Sequence, residues 1–231
     1  MRRIALFLCL AGCVLDAPRN NNDIGAEYLG ARYVSDPLGE GTGYDPDPLI
    51  RVDAFDCVTF VETALAGGDV GRLTKIRYRD AIVGFTNRNH FMETDWMTNN
   101  ADLVQNVSGK YAKTMTRNVV IDKAAWARRV HGMNMDAAPR AVGLEYVPYS
   151  ELRPIRNNAP LIVLFIVGKS EKTDKIGTDI AVVHTGFLMP GGVTLRHASV
   201  GRGVVDDDWG RYVQMRRGMK NNIGVALVKI K

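Results

Sequence analysis

The chain has 231 residues, 46% hydrophobic and 24% charged, enough to bury a core without a metal or a disulfide as staple. Thirty Lys and Arg against 25 Asp and Glu give a net charge of +5, yet there is no run of five basic residues and no basic helix interleaved with aromatics. Nucleic-acid binding is therefore not expected. The basic excess reads as mild attraction to anionic surfaces or carboxylate-bearing substrates, or as nothing more than a basic surface.

At the N-terminus, Arg2 and Arg3 precede an apolar run from Ile4 to Gly12. This is the pattern of a signal peptide, and it is too short to span a bilayer, which takes about 20 apolar residues. Leu10-Ala11-Gly12-Cys13 resembles the bacterial lipobox, in which lipid is attached to the cysteine thiol and the chain is cut before it. The expected organisation is a signal peptide at 1–12, a lipidated tether at 13–22 and a single domain at 23–231; a plain signal cut elsewhere is the alternative. Cys9 lies in the removable segment and Cys13 would carry the lipid, which leaves Cys57 alone in the folded body. A lone thiol is not half of an internal disulfide. It is either a buried small hydrophobe or a working nucleophile.

Asp23 to Val34 has helical spacing, with Ile24, Tyr28 and Ala31 on one side. Asp36 to Asp53 is rich in Gly and Pro and is expected as a long loop, a frequent carrier of function. Asp56 to Ala66 reads as a helix with Val58, Val61 and Leu65 on one stripe, capped by Asp53 or Asp56 and ended by Gly67-Gly68. Another helix is expected within Val70 to Val83, whereas Arg88 to Asn100 is polar and aromatic without clear periodicity. A strand piece at Val119 to Ile121 precedes a helix at Asp122 to Val130. Pro160 to Val167 is a continuous β-rich run, as in a strand buried on both faces. Asp179 to Met189 and Val193 to Val200 form two more strands around Pro190-Gly191-Gly192. Trp209 to Arg216 reads as a helix opened by Asp206-Asp207-Asp208, for which a cation site is the lesser alternative, and Ile223 to Ile230 as a closing strand. Helices in front and consecutive strands behind predict an α+β domain with a mostly antiparallel sheet.

Cys57 falls in the first turn of its helix. Unpaired N–H groups and partial positive charge there lower a thiol pKa from about 8.5 into roughly 3.5–7.5, and aim donors where an oxyanion would form. Along Ile180 to Gly186 side chains alternate, so His184 shares a face with Ile180, Val182 and Leu188. A four-residue loop from Met189 to Gly192 puts His184 directly opposite His197. A two-residue Gly191-Gly192 loop puts His197 opposite Gly186, with the histidines diagonal neighbours on one face. A nucleophilic thiol needs a base, and the base an orienting partner. Cys57, His184 and His197 fit those roles in that order. A metal site is a rival reading without a third ligand at standard spacing, and two core histidines without a role are another.

These residues resemble a family. Tyr28-Leu29-Gly30-Ala31-Arg32-Tyr33 and Phe55-Asp56-Cys57-Val58-Thr59-Phe60-Val61, followed by His184-Thr185-Gly186 and His197-Ala198-Ser199, look like the NlpC-type papain-like cell-wall hydrolases. Leu38-Gly39-Glu40-Gly41, Ile76-Arg77-Tyr78-Arg79-Asp80 and Asp95-Trp96 are similar to the N-acetylmuramoyl-L-alanine amidase-like branch. The resemblance implies a papain-like fold, with Cys57 as nucleophile, His184 as base, His197 as orienting residue and Tyr33 beside the nucleophile. Thr59 stands where many relatives carry Ser or Gly. About 125 residues separate Cys57 from His184, more than in compact members, so an elaboration at about 70–158 is expected over the cleft. Within it, Arg77 and Arg79 could grip a carboxylate and Trp96 a sugar ring, with His90 and Asp95 beside them, or all five form a polar surface with one anchoring aromatic. Glu40, Asp45 and Asp47 could meet a substrate amine, but a solvated turn is the favoured reading.

The implied activity is hydrolysis of the amide joining N-acetylmuramic acid to L-alanine in peptidoglycan fragments, without a cofactor. A stem-peptide endopeptidase, a non-catalytic cell-wall-binding lipoprotein and an acyl transferase are the alternatives. The expected place is the bacterial cell envelope, on the periplasmic side, anchored to a membrane through lipid on Cys13.

Overall fold

The computed structural model describes residues 21–231, so the expected signal peptide, the lipid on Cys13 and most of the tether lie outside the described residues. Two short strands, β1 (Arg32–Tyr33) and β2 (Ala54–Phe55), pair in parallel just before α1 (Cys57–Ala66) and α2 (Val70–Arg77). After them come α3 (Met97–Asn99), β3 (Val104–Asn106), β4 (Met115–Ile121), α4 (Lys123–His131), β5 (Arg140–Pro148), β6 (Leu161–Val167) and α5 (Thr173–Ile176). The chain then runs through β7 (Val182–Leu188), β8 (Thr194–Ser199), β9 (Gly203–Asp208), α6 (Trp209–Gly218) and β10 (Asn222–Ile230).

An eight-stranded antiparallel sheet organises the molecule, in the order β4-β5-β10-β6-β7-β8-β9, with β3 beside β10. The class is α+β. β6 is buried at all seven positions, as a strand must be when both sheet faces are covered. On one face Ile162, Leu164, Ile166, Phe187 and Ala226 pack with Phe60 and Val61 of α1. On the other, Val163, Phe165, Leu188, Leu195 and Leu227 pack with Trp209 and, at the margin, Tyr212 of α6. α1 and α6 thus clamp the sheet from opposite sides.

Several elements differ from the sequence expectation, each for a local reason. The helix expected at 23–34 is two short 3-10 turns and β1, because Gly25 and Gly30 take left-handed φ of 74° and 85°, which end helical runs. α2 stops at Arg77, because Tyr78 turns extended, with φ −125° and ψ 137°, and Asp80 and Ala81 after it have positive φ. The segment expected as an elaboration over the cleft instead supplies β3, β4 and β5, which extend the sheet at the edge away from β7–β9.

Arg77, expected to grip substrate, is turned inward. It is 3% exposed, pairs with Glu62 of α1 at 3.0 Å and donates to the Leu38 carbonyl. Trp96, fully buried, donates its indole N–H to the other Glu62 oxygen at 3.1 Å. Glu62 therefore ties α1 to the loop at Leu38 and to the 92–96 turn. Removing one partner of a buried ion pair leaves the other charge uncompensated, at a cost of about 3–5 kcal/mol. Arg77→Ala is expected to lower unfolding free energy by that amount in a urea titration; a loss below about 1 kcal/mol would mean the pair does not anchor α1.

Candidate active site

The start of α1 is fixed by reciprocal capping. Asp56 Oδ1 accepts the Thr59 N–H at 2.7 Å, and Thr59 Oγ1 accepts the Asp56 N–H at 2.9 Å. The cap satisfies donors that a helix start leaves free. The other Asp56 oxygen accepts the Asp36 N–H at 3.2 Å, tying the preceding loop to the helix. Parallel pairing of Tyr33 with Phe55 brings Tyr33 beside the helix start, two residues ahead of Cys57.

Cys57, Tyr33 and His184 line one cleft of about 870 Å³, with Asp207, Tyr212 and Arg216 among its other walls. The β7–β8 register pairs Phe187 with Arg196 and Leu188 with Leu195. This is the alternative in which His197 faces Gly186 and the histidines are diagonal. Gly186 is needed there, since a Cβ at this position would lie 2.7 Å from the His197 Cβ. Past that point no ladder pairs join the strands, and a side-chain bond spans them: His184 Nε2 to His197 Nδ1, 2.7 Å.

A third member completes the row. His197 Nε2 lies 2.9 Å from Asp207 Oδ2, and Arg202 also bonds Asp207 through both carboxylate oxygens. The Arg202 guanidinium, with help from His197, holds Asp207 down to about 2. An ionised carboxylate only accepts, so His197 Nε2 carries a proton. Burial outweighs Asp207 and keeps the His197 pKa below its usual value, so its Nδ1 is bare and accepts. His184 must then donate from Nε2. Burial first, then the penalty of setting a second positive charge beside His197, and then the Arg216 guanidinium hold His184 well below 6.5. It is neutral, and its proton-accepting nitrogen is Nδ1.

The thiol does not follow the expectation of a depressed pKa. Burial, then the Asp56 carboxylate, pushes Cys57 up to about 12, against the opposing pull of the N–H groups of Thr185, Cys57 and Val58. Those three donors are the groups that would hold negative charge at this point of the cleft. Burial disfavours a lone thiolate and a lone imidazolium alike. Transfer of the proton from sulfur to imidazole makes both charges together, which offsets much of that penalty. Burial, then the charges of Cys57 and Asp56, pushes Tyr33 up to about 12. Its hydroxyl remains a donor.

The other expected contacts lie elsewhere. Arg77 and Trp96 serve Glu62. His90 bonds the Phe85 carbonyl at 2.8 Å and packs on Trp126. Asp95 is paired with Lys123 at 2.8 Å. Arg79 is exposed, bonds Asn87 and shares a separate hollow with Asp95. None of the five lines the Cys57 cleft. The turn residues Glu40 and Asp45 are not simply solvated, since both bind the buried Arg88. Sequence reasoning missed Asp207, Tyr212 and Arg216. Asp208 does open α6, accepting the Arg211 N–H at 2.8 Å, but Asp207 beside it faces the histidines. Among the described residues no cluster of three or more His, Cys, Asp or Glu side chains is arranged to hold a metal ion.

A family profile described as AmiA-like, N-acetylmuramoyl-L-alanine amidase-like, matches residues 23–219. No curated protein sequence matches the chain. Among solved structures, a Legionella pneumophila protein superimposes with a TM-score of 0.80 at 20% identity, covering 91% of this chain and 87% of the other. An N-acetylmuramoyl-L-alanine amidase from Bacteroides uniformis gives 0.71 at 22% identity, covering 91% and 97%. A Bacteroides fragilis protein named as a candidate xylanase gives 0.71 at 22%, covering 90% and 100%. At these identities the likeness is one of fold.

Since the thiolate is the species that is alkylated, a raised thiol pKa makes reactivity climb with pH. The rate of Cys57 alkylation by iodoacetamide is expected to rise roughly tenfold per pH unit between about 6 and 9. A plateau across that range would mean a resting thiolate–imidazolium pair instead.

Proposed function

Because this chain belongs to the AmiA-like, N-acetylmuramoyl-L-alanine amidase-like family, we propose that it is a cysteine-dependent hydrolase of peptidoglycan fragments. It cuts the amide between the lactyl group of N-acetylmuramic acid and L-alanine. The observation that carries this reading is the row His184–His197–Asp207, whose first member lines the same cleft as Cys57.

In the reaction, Cys57 Sγ attacks the lactyl carbonyl carbon while His184 Nδ1 takes the thiol proton. The N–H groups of Cys57 and Val58, with the Tyr33 hydroxyl, receive the oxyanion. His184 returns the proton to the departing L-alanyl nitrogen as the C–N bond breaks, leaving a thioester on sulfur. Water, deprotonated by His184, then releases the muramic carboxylate and restores the thiol. A papain-like classification agrees with this order of steps.

The xylanase name of one fold relative is not favoured for this cleft. Glycoside hydrolysis takes two working carboxylates flanking the bond. Here Asp207 is committed to Arg202 and His197, and Asp208 to the start of α6. For location we propose the cell envelope, with residues 1–12 as signal and lipid on Cys13. Radiolabelled palmitate incorporated by the full chain and lost in Cys13→Ser would support the anchor.

Mass spectrometry of defined muropeptides tests the activity. Release of an L-alanyl peptide with intact N-acetylmuramic acid is expected, and Cys57→Ala should abolish it. Asp207→Asn should lower kcat by about 10–100-fold with a smaller change in KM, since its carboxylate is committed to His197 and Arg202 and acts by orienting the base. Unchanged turnover by Cys57→Ala would end the proposal, and cleavage inside the stem peptide would move it to an endopeptidase.

A further inference from the structure

Four cations line the cleft: Lys172, Arg202, Arg211 and Arg216. Arg202 is neutralised by Asp207, while Lys172 and Arg211 are exposed and hydrated. Arg216 differs from them. Its guanidinium lies over the Phe165 ring at 5.1 Å and near the Tyr212 ring at 6.0 Å, so two aromatic faces fix its plane. Its Nε and Nη2 are buried with no carboxylate or carbonyl to accept from them, and Nη1 meets the Met219 sulfur at 3.8 Å. The Tyr149 hydroxyl is its polar neighbour, a neutral group that leaves the positive charge uncompensated. No carboxylate among the described residues pairs with it. A half-buried guanidinium without a counter-charge is costly, and a planar fork held on aromatic rings matches a carboxylate.

The position is as informative as the uncompensated charge. Phe165 is the cross-strand partner of His184, and their rings are 5.6 Å apart. One phenyl ring therefore carries the base and the free guanidinium together. The group protonated by His184 is the leaving amine, so an anion at Arg216 belongs to the leaving peptide.

We propose that Arg216 is the anchor for a substrate carboxylate on the leaving-group peptide, within a few bonds of the amide that is cut. This rests on the amide-hydrolase reading above. A bound carboxylate also neutralises a charge that holds His184 down, so the base accepts a proton more readily when an acidic peptide is in place. The cleft thus selects stem peptides with a free carboxylate over amidated ones.

The test compares N-acetylmuramoyl-L-alanyl-D-glutamate with its D-isoglutamine counterpart, in which the α-carboxylate is an amide. Binding to the full chain carrying Cys57→Ala is measured by calorimetry, so the result does not depend on turnover. The carboxylate ligand is expected to bind about tenfold tighter, as a charge-assisted pair gives. Adding Arg216→Met should bring the two ligands to parity, and Arg216→Lys, which keeps the charge but not the fork, should fall between them. Equal affinity in the Cys57→Ala chain, no binding of either ligand, or a preference that survives Arg216→Met would overturn the inference. A carboxylate preference in a chain that cuts neither compound would instead strike only the assignment of the bond.

Discussion

The site depends on a carboxylate that cannot be protonated near neutral pH. Arg202 holds Asp207 ionised, and from that one fact the protons of two imidazoles follow. Asp207 can only accept, so His197 donates to it; His197 then accepts from His184, and His184 is left with a bare Nδ1. Each step requires the next ring to be neutral, and burial of both histidines supplies that condition. Without the acid at the far end, either tautomer of His197 would serve, and the row would have no direction.

The scaffold is arranged to keep this row and the cysteine helix in one frame. α1 packs on one sheet face through Phe60 and Val61, while Glu62 is held from Arg77 and Trp96. Phe165 and Tyr212, from the opposite face, pack against His184. Tyr212 also meets His197 edge-on at 4.8 Å. The imidazoles thus sit under aromatic cover that excludes water and keeps them neutral. Residues 70–158 contribute by lengthening the sheet and bracing α1, not by roofing the cleft.

Much of this was legible in the sequence, because the signals are local. The Asp56–Thr59 cap and the glycine end of α1 mark both ends of a helix. The alternation around Pro190-Gly191-Gly192 put both histidines on one face in either even register. Gly186, which accommodates His197, is the feature that distinguishes the register found. Asp207 was illegible for a physical reason. Three successive aspartates have low strand propensity and suit a helix start. Only pairing with β8 makes them a strand end, with Asp206 on Arg196, Asp207 on His197 and Asp208 capping α6. Arg77 was misplaced in the same way, since a charged residue reads as surface until its long-range partner, Glu62, is known. Arg216 gives no local signal at all: its aromatic bed comes from β6 and α6 together.

The pKa pattern makes the resting site a neutral thiol and a neutral imidazole lining one cleft, and on the proposed mechanism charge appears only as the proton moves. The most direct measurement of the central claim is the protonation state of each ring nitrogen, read by nitrogen-15 NMR on histidine-labelled protein near pH 7. The account predicts Nδ1 unprotonated and Nε2 protonated in both His184 and His197, with that order lost in Asp207→Asn. A proton on His184 Nδ1 in the native chain would contradict it.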